Sequence, residues 1–519
     1  MNSDEGASGP EESVGTGYDP PITPDHATER SRSSSAPPSS EFGVPRAKLW
    51  DSLVERTRQY FLGADPTFWV AMVPALVLSA LLYTRSVSSN FIFDEQEALL
   101  ANPYVNGKGL SFWSVIHRDF WGLPPDRSVG SYRPFPNVVW RLVAAGQRGL
   151  QSALVKLTRA HSSYALSPWV FHWVNVVVHA ANGALLVCLV FHVTRRRGLA
   201  WLAGTIFIAC AVLTEAVSGV VGAADVWGGM GALLALAALR LPIWAMPLGV
   251  AGGMLLGLFS KESALVCVPL VPLAALFLGP YFGRRHPRTL LRCALSAVAT
   301  VGAFLLYVKC RKIWFPTALP PELEAPLSPT AGRLARAARW FLVWFHQPSL
   351  PKDPLNNPLV QADMAHRIAG ALRVYWRGLV QIVFPRALSG DYSFPQEPVP
   401  DRLFTVETVL GGLAMIAPPI IAVVLWLRSI AARARVAARA RERLEALGFA
   451  RADDANAVGS EDPTLVPNRA LAGVGVTPAL VALSLIWAVI SYFPHSNIPV
   501  LLPTVRAERF WYFPAMGTS

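Results

Sequence analysis

Apolar residues gather along this chain into runs separated by polar or basic stretches, and nine runs approach the ~20 residues that a helix needs to cross a bilayer. They are Thr67–Tyr83, Trp169–Val193, Leu199–Leu213, Val226–Leu239, Ile243–Phe259, Ala264–Leu278, Leu295–Val308, Val406–Leu427 and Leu471–Tyr492. The first is slightly short, and Tyr60 to Leu62 extends it along the interface. A further segment, Met364 to Phe384, has a helical pattern but carries Arg367, Arg373 and Arg377. One central arginine costs a spanning helix about 2.5–3.5 kcal/mol on insertion scales, so three argue against a crossing. The pattern predicts an interfacial or re-entrant amphipathic helix, with its arginines near the headgroups. Residues 84–168 are too polar to span and too aromatic for a flexible linker. There Phe112-Trp113, Phe120-Trp121 and Tyr132 to Phe135 anchor a folded loop lying partly in the interface.

Composition and charge turn these runs into a topology. Of 519 residues 52% are hydrophobic and only 15% charged, which predicts an all-α polytopic membrane protein. The net charge of +12 is concentrated beside apolar runs, a pattern of cytoplasmic loops and anionic headgroups rather than of nucleic-acid binding. Arg46, Lys48, Arg56 and Arg58 precede the first run, and Arg195-Arg196-Arg197 close the second. Arg284, Arg285, Arg288 and Arg292 follow the sixth, and Arg428, Arg433, Arg435, Arg439, Arg441 and Arg443 follow the eighth. The positive-inside rule then places the N-terminus in the cytoplasm and the C-terminus outside.

The predicted organisation is a disordered cytoplasmic tail over 1–65 and a membrane core over 66–427 with outer loops 84–168 and 309–403. A cytoplasmic basic loop over 428–469 and a last helix with an outer segment over 470–519 complete it. Lys309, Arg311 and Lys312 fall on the outer side against the rule; either they bind lipid phosphate or the assignment fails there. Cys188, Cys210, Cys267, Cys293 and Cys310 show no paired short spacing, so neither a disulfide framework nor a zinc site is expected. No apolar core lies near Met1, so the first membrane helix is expected to serve as the insertion signal. The Ala- and Arg-rich composition favours a bacterial plasma membrane over the endoplasmic reticulum.

Candidate chemistry gathers at one set of helix ends. Under this topology Asp94, Glu95, Glu215, Asp225, Lys261, Glu262, Asp391, Glu508 and Arg509 all fall at outer ends, a bias that plain solvated loops would not show. Locally, Asp94-Glu95 reads equally as the first solvated residues of a loop. Lys261-Glu262 and Glu508-Arg509 read equally as ion pairs that cap helix ends, and Glu215 and Asp225 as acceptors that fix a Gly-rich loop. His172, Asn175, His179 and Asn182 share one face of the second run, which favours a packed polar seam over a metal site.

The ordered motifs carry a resemblance. Phe93-Asp94-Glu95 with Asn102-Pro103, Ser131-Tyr132-Arg133-Pro134, Phe171-His172 with Asn175 and His179, and Thr214 to Gly222 with Asp225 succeed one another. Ser260-Lys261-Glu262, Asn357-Pro358-Leu359, Asp391-Tyr392-Ser393 and Glu508-Arg509 with Tyr512 and Pro514 complete the series. Over about 68–517 the chain resembles the transmembrane-and-tetratricopeptide-repeat O-mannosyltransferases and their bacterial relatives, within the GT-C glycosyltransferases. That family usually has two aspartates where this chain has Asp94-Glu95. It continues into more membrane helices and often tetratricopeptide repeats. No 34-residue repeat occurs here, so the chain is expected to be a fragment or a member without that module.

The resemblance implies a GT-C-like helical bundle with a large first extracytoplasmic loop. It also implies inverting transfer of a monosaccharide, mannose foremost, from a polyprenyl- or dolichyl-phosphate carrier to a hydroxyl of a protein or glycan. Membrane lipids are further partners, and no cofactor is required beyond the lipid-linked donor, although a divalent ion is compatible with the acids. A hydroxyl is a poor nucleophile, so a carboxylate must take its proton, and Asp94 is the expected base with Glu95 beside it. The leaving lipid phosphate needs cations, for which Arg133, Arg509 and Lys261 are the candidates, supported by Glu215, Asp225, Glu262, Asp391 and Glu508. A lipid-linked sugar flippase and a non-catalytic scaffold are the alternative readings.

Overall fold

The computed structural model describes residues 55, 65–107, 109–128, 131–158, 166–282, 288–319, 321–344, 352–446 and 474–519. The chain divides into two units, Met1–Arg56 and Thr57–Ser519, and the helical bundle belongs to the second. The expected N-terminal tail with its basic cluster, Arg284 and Arg285, and the basic loop beyond 446 lie outside the described residues.

Among the described residues the chain is helical, without strand, and forms an all-α multi-pass membrane protein. The principal helices are α1 (Phe68–Val87), α2 (Pro134–Thr158), α3 (Pro168–Thr194), α4 (Arg197–Ala209), α5 (Thr214–Ser218), α6 (Ala223–Ala238) and α7 (Met246–Ser260). They continue with α8 (Cys267–Leu278), α9 (Thr289–Trp314), α10 (Arg333–Trp344), α11 (Met364–Val383), α12 (Val406–Ala446), α13 (Val476–Tyr492) and α14 (Tyr512–Thr518). Every expected crossing is a helix, but only seven described helices are long and apolar enough to span alone. Leu199–Leu213 belongs to a broken element, because α4 and the next segment, Ala211–Ser218, meet at a 48° bend. The expected Ile243–Phe259 crossing is shortened to α7, whose 15 residues reach only about 22 Å, because the turn through Pro242 consumes its start.

The buried core runs through α3, α6, α7, α8, α9 and α13, whose inward positions are mostly Ala, Val, Leu and Gly. Lipid tails are as apolar as these side chains, so association depends on close packing. At Gly231 of α6 an added Cβ would lie 2.4 Å from the Gly257 nitrogen and 2.6 Å from the Gly253 oxygen of α7. Gly231→Ala is therefore expected to cost about 1–3 kcal/mol, since backbone cannot step aside as a side chain would. A thermal melt of the detergent-extracted protein checks this; an unchanged midpoint would mean that α6 and α7 do not touch here.

α12 is a single helix of 41 residues that continues past its apolar part into exposed arginines, so the expected loop 428–469 begins as helix. The described part of the aromatic stretch 84–168 folds into short turns and the amphipathic α2, with Trp140 and Phe120 in a small core shared with Phe171 of α3 and with Val220, Ala223 and Ala224 around the start of α6.

Candidate functional site

The Asp94 loop leaves α1 at Val87 and turns on Phe93, an exposed aromatic held at φ 47. A bulky residue in the left-handed region is strained, and such strain persists only where surrounding contacts over-determine it. Those contacts come from Glu95. Its carboxylate accepts from the Ile92 amide at 3.1 Å and from the Val220 amide at 2.5 Å, pinning the turn to the Gly-rich segment before α6. Burial pushes the Glu95 carboxyl above its ordinary range, against the pull of these two amides. Asp94, in contrast, has a side chain 50% exposed. The adjacent acids thus separate into an open carboxylate and an anchored one.

Three cations gather at this end of the bundle, each with its own acid, and Arg509 reaches the loop itself. Arg509 donates from Nη1 to Glu215 Oε1 at 2.5 Å, and its amide donates to Glu215 Oε2 at 2.9 Å. Its Nη2 stands 4.0 Å from Asp94 Oδ2. Burial works against the Arg509 charge, but Glu215, Asp225 and Asp94 outweigh it and hold the guanidinium above its ordinary range. Lys261 pairs with Asp225 where both side chains are under 10% exposed, at 6% and 3%. Burial lowers the Lys261 ammonium, opposed by Asp225 and aided by Arg133. Arg133 donates to Glu262 at 2.8 Å, and the Tyr132 amide donates to the other oxygen of that carboxylate at 3.1 Å.

Asp94, Glu95, Glu215, Asp225, Lys261, Glu262, Arg133 and Arg509 are thereby brought to one end of the bundle. Arg311, one of the three residues in the puzzling basic end of α9, is buried within electrostatic reach of Glu262. It faces protein.

The polar face of α3 supports this end. His172 donates from Nδ1 to the Ser218 carbonyl at 2.7 Å, and Asn175 donates to the Gly219 carbonyl at 2.8 Å. Asn182 donates to the Val226 carbonyl and to the Tyr512 hydroxyl, at 2.8 and 2.9 Å. His179 donates from Nε2 to the Ile208 carbonyl at 3.3 Å and accepts from Tyr512 at Nδ1 at 2.9 Å. The four residues form a packed seam, and among the described residues no cluster of His, Cys, Asp and Glu suits a metal ion.

A neighbouring network was not legible in the sequence. Glu397 receives Arg506 at 2.6 Å and Arg377 at 2.8 Å, and Arg377 also reaches Glu407 at 2.8 Å. Glu508 accepts from Tyr392 at 2.6 Å and from the Ser389 amide at 2.7 Å, and burial raises its carboxyl. The arginines of α11 have partners within the protein, and α11 is not among the described helices apolar enough to span. Arg377 donates to Glu397 and Glu407, Arg373 donates to the Pro398 carbonyl and lies 3.9 Å from Glu397, and Arg367 donates to the carbonyls of Asn497 and Ile498 at 2.7 Å each. Desolvated arginine needs partners, and Glu397 and Glu407 close behind α11 were the available signal. Asp391 stands apart from the cluster; it is exposed and accepts from the Ser393 amide and hydroxyl at 2.9 Å, a local turn. His495 and Ser263, bonded at 2.8 Å beside the Lys261 and Arg133 charges, were also missed.

No family model and no solved structure matches the chain. Curated proteins do. A protein O-mannosyl-transferase of Drosophila melanogaster, Tmtc2, is 33% identical over 150 residues, covering 28% of this chain and 14% of that protein. TMTC1 of Mus musculus, also named a protein O-mannosyl-transferase, is 35% identical over 156 residues, with the same shares. A protein O-mannosyl-transferase of Caenorhabditis elegans is 24% identical over 348 residues, 65% of this chain and 45% of that protein. The chain spans less than half the length of these curated relatives. Over the matched segments it is a sequence relative of the TMTC protein O-mannosyl-transferases.

Proposed function

We propose that this chain is, or is part of, a membrane glycosyltransferase that moves mannose from a polyprenyl-phosphate carrier to a hydroxyl of an acceptor protein on the non-cytoplasmic face. The observation that carries the reading is the half-exposed Asp94 carboxylate 4.0 Å from an arginine clamped by a second acid. The names of the relatives supply mannose and the protein acceptor; the lipid-linked donor and the membrane face come from the motif resemblance.

In the proposed reaction Asp94 takes the proton of the acceptor hydroxyl while its oxygen forms a bond to the anomeric carbon. The bond from that carbon to the phosphate oxygen breaks, and its electron pair stays on the departing lipid phosphate. Arg509, fixed by Glu215, faces that developing charge without needing to reorganise. Lys261 and Arg133 add positive potential nearby. Attack opposite the leaving group inverts the anomeric centre. Glu95 is the positioning residue that holds the loop bearing the base.

Detergent-purified protein given radiolabelled polyprenyl-phosphate mannose and candidate acceptor peptides should transfer label to Ser or Thr. Movement of the lipid across vesicles without transfer would replace this reading by the flippase. Glu95→Gln disturbs one of two anchoring bonds, so transfer is expected to fall about 10–100-fold with the melting midpoint nearly kept. Full activity in that variant would show that the turn holds itself.

A further inference from the structure

The cations of the site are committed. Arg509, Lys261 and Arg133 each bind a carboxylate of the chain, so none arrives at a phosphate without first sharing its charge. Among the described residues Arg85 has no carboxylate partner, and it is exposed in the last turn of α1, nine residues before Asp94. The dipole of α1 favours a cation there, which accounts for a charge but not for its surroundings.

Those surroundings are a cavity of about 410 Å³ between α1 and the broken element, lined by Leu82, Arg85, Ala209, Ala211, Thr214 and Ser218 among others. It sits at the 48° bend between α4 and the segment ending in α5. Interrupted helices at membrane depth persist where they line a cavity or pack on protein, and such breaks form ligand sites in other membrane folds. Leu82, which lines the cavity, is itself exposed on α1, so the cavity opens on an apolar outer side of the bundle that suits a ligand with a long apolar chain. Its far wall is shared with the reaction: Thr214 and Ser218 line it, while Glu215 on the adjoining face of α5 holds Arg509.

We propose that this cavity docks the phosphate-bearing polyprenyl donor, with the phosphate on Arg85 and the first chain carbons against Leu82, Ala209 and Ala211. The assignment rests on the glycosyltransferase reading. It separates two tasks, with Arg85 capturing the donor and Arg509 stabilising the charge that develops as the bond breaks.

The test varies donor concentration at saturating acceptor. Arg85→Gln is expected to raise the donor KM about tenfold, with kcat and the acceptor KM within about twofold. Arg85→Lys should recover part of the loss. Ala209→Trp, which fills the cavity from an exposed position without touching the charge, should also raise the donor KM. Unchanged donor KM in either Arg85→Gln or Ala209→Trp, with normal extraction and melting, overturns the proposal. Native mass spectrometry of the purified protein gives a readout independent of turnover. Wild type should retain added polyprenyl monophosphate and both variants should lose it. Equal retention overturns the cavity site, as does displacement by an equal concentration of phosphatidylglycerol. Absence of transfer by wild type, with retention still dependent on Arg85, would instead defeat the reaction and leave the binding site standing.

Discussion

Asp94→Asn should lower transfer by about 10³-fold or more while leaving expression and the thermal midpoint in detergent near wild type. General-base catalysis contributes typically about 10²–10⁴-fold, and the amide keeps size and polarity but cannot accept the acceptor proton. The fold should tolerate the change because the Asp94 side chain is half exposed and its nearest ionic contact, to Arg509, is a loose 4.0 Å. The chain holds another carboxylate beside it, yet Glu95 is turned inward onto two backbone amides and cannot substitute. A single-turnover assay with radiolabelled donor checks the loss at the chemical step. Near-normal transfer by Asp94→Asn would remove Asp94 from the reaction.

Arg509→Gln should cost about 10²–10³-fold in kcat, the scale on which single preorganised donors to a developing negative charge act. It should also destabilise the protein, because Glu215 loses the guanidinium that satisfies it in a mostly buried position. The two effects separate in a double variant. Combining Arg509→Gln with Glu215→Gln removes the stranded charge and should restore much of the melting midpoint, yet activity should stay low. Recovery of activity along with stability would mean that Arg509 serves the fold and not the leaving group.

Much of the fold comes from the spacing of apolar runs, since long, continuous hydrophobic stretches have few alternatives to a helix. Seven of the nine expected crossings correspond to described helices long and apolar enough to span. The exceptions have local causes. The bend after Ala209 occurs in a stretch with neither Pro nor Gly, so no residue marks it. α2 hides in a stretch whose opening prolines, Pro134 and Pro136, read as loop but suit the first turn of a helix.

At the site, motif order pointed to the participants and one shared end, but not to their pairing. Nothing in Glu215 announces Arg509, 294 residues away, and Lys261-Glu262 looks like an internal pair although each member binds elsewhere. The network around Glu397 was illegible for the opposite reason. Arg373 and Arg377 were read alone, as costs to a membrane crossing, when their partner Glu397 lies just beyond α11.

The long reach between Glu215 and Arg509 has a meaning for biogenesis. Helices enter a membrane in the order in which they are synthesised, so Asp94, Glu215 and Asp225 are in place well before the last of their cations. Lys261 comes soon after Asp225, but Glu215 waits for nearly the whole of the remaining described chain. A half-made protein therefore carries an uncompensated acid at the mouth of its future site. Arrival of the Arg509 segment, docked by Tyr512 onto His179 and Asn182, discharges that acid and brings Arg509 to Asp94 in a single event. Closing this ion pair and docking the Arg509 segment onto α3 are therefore one step of assembly.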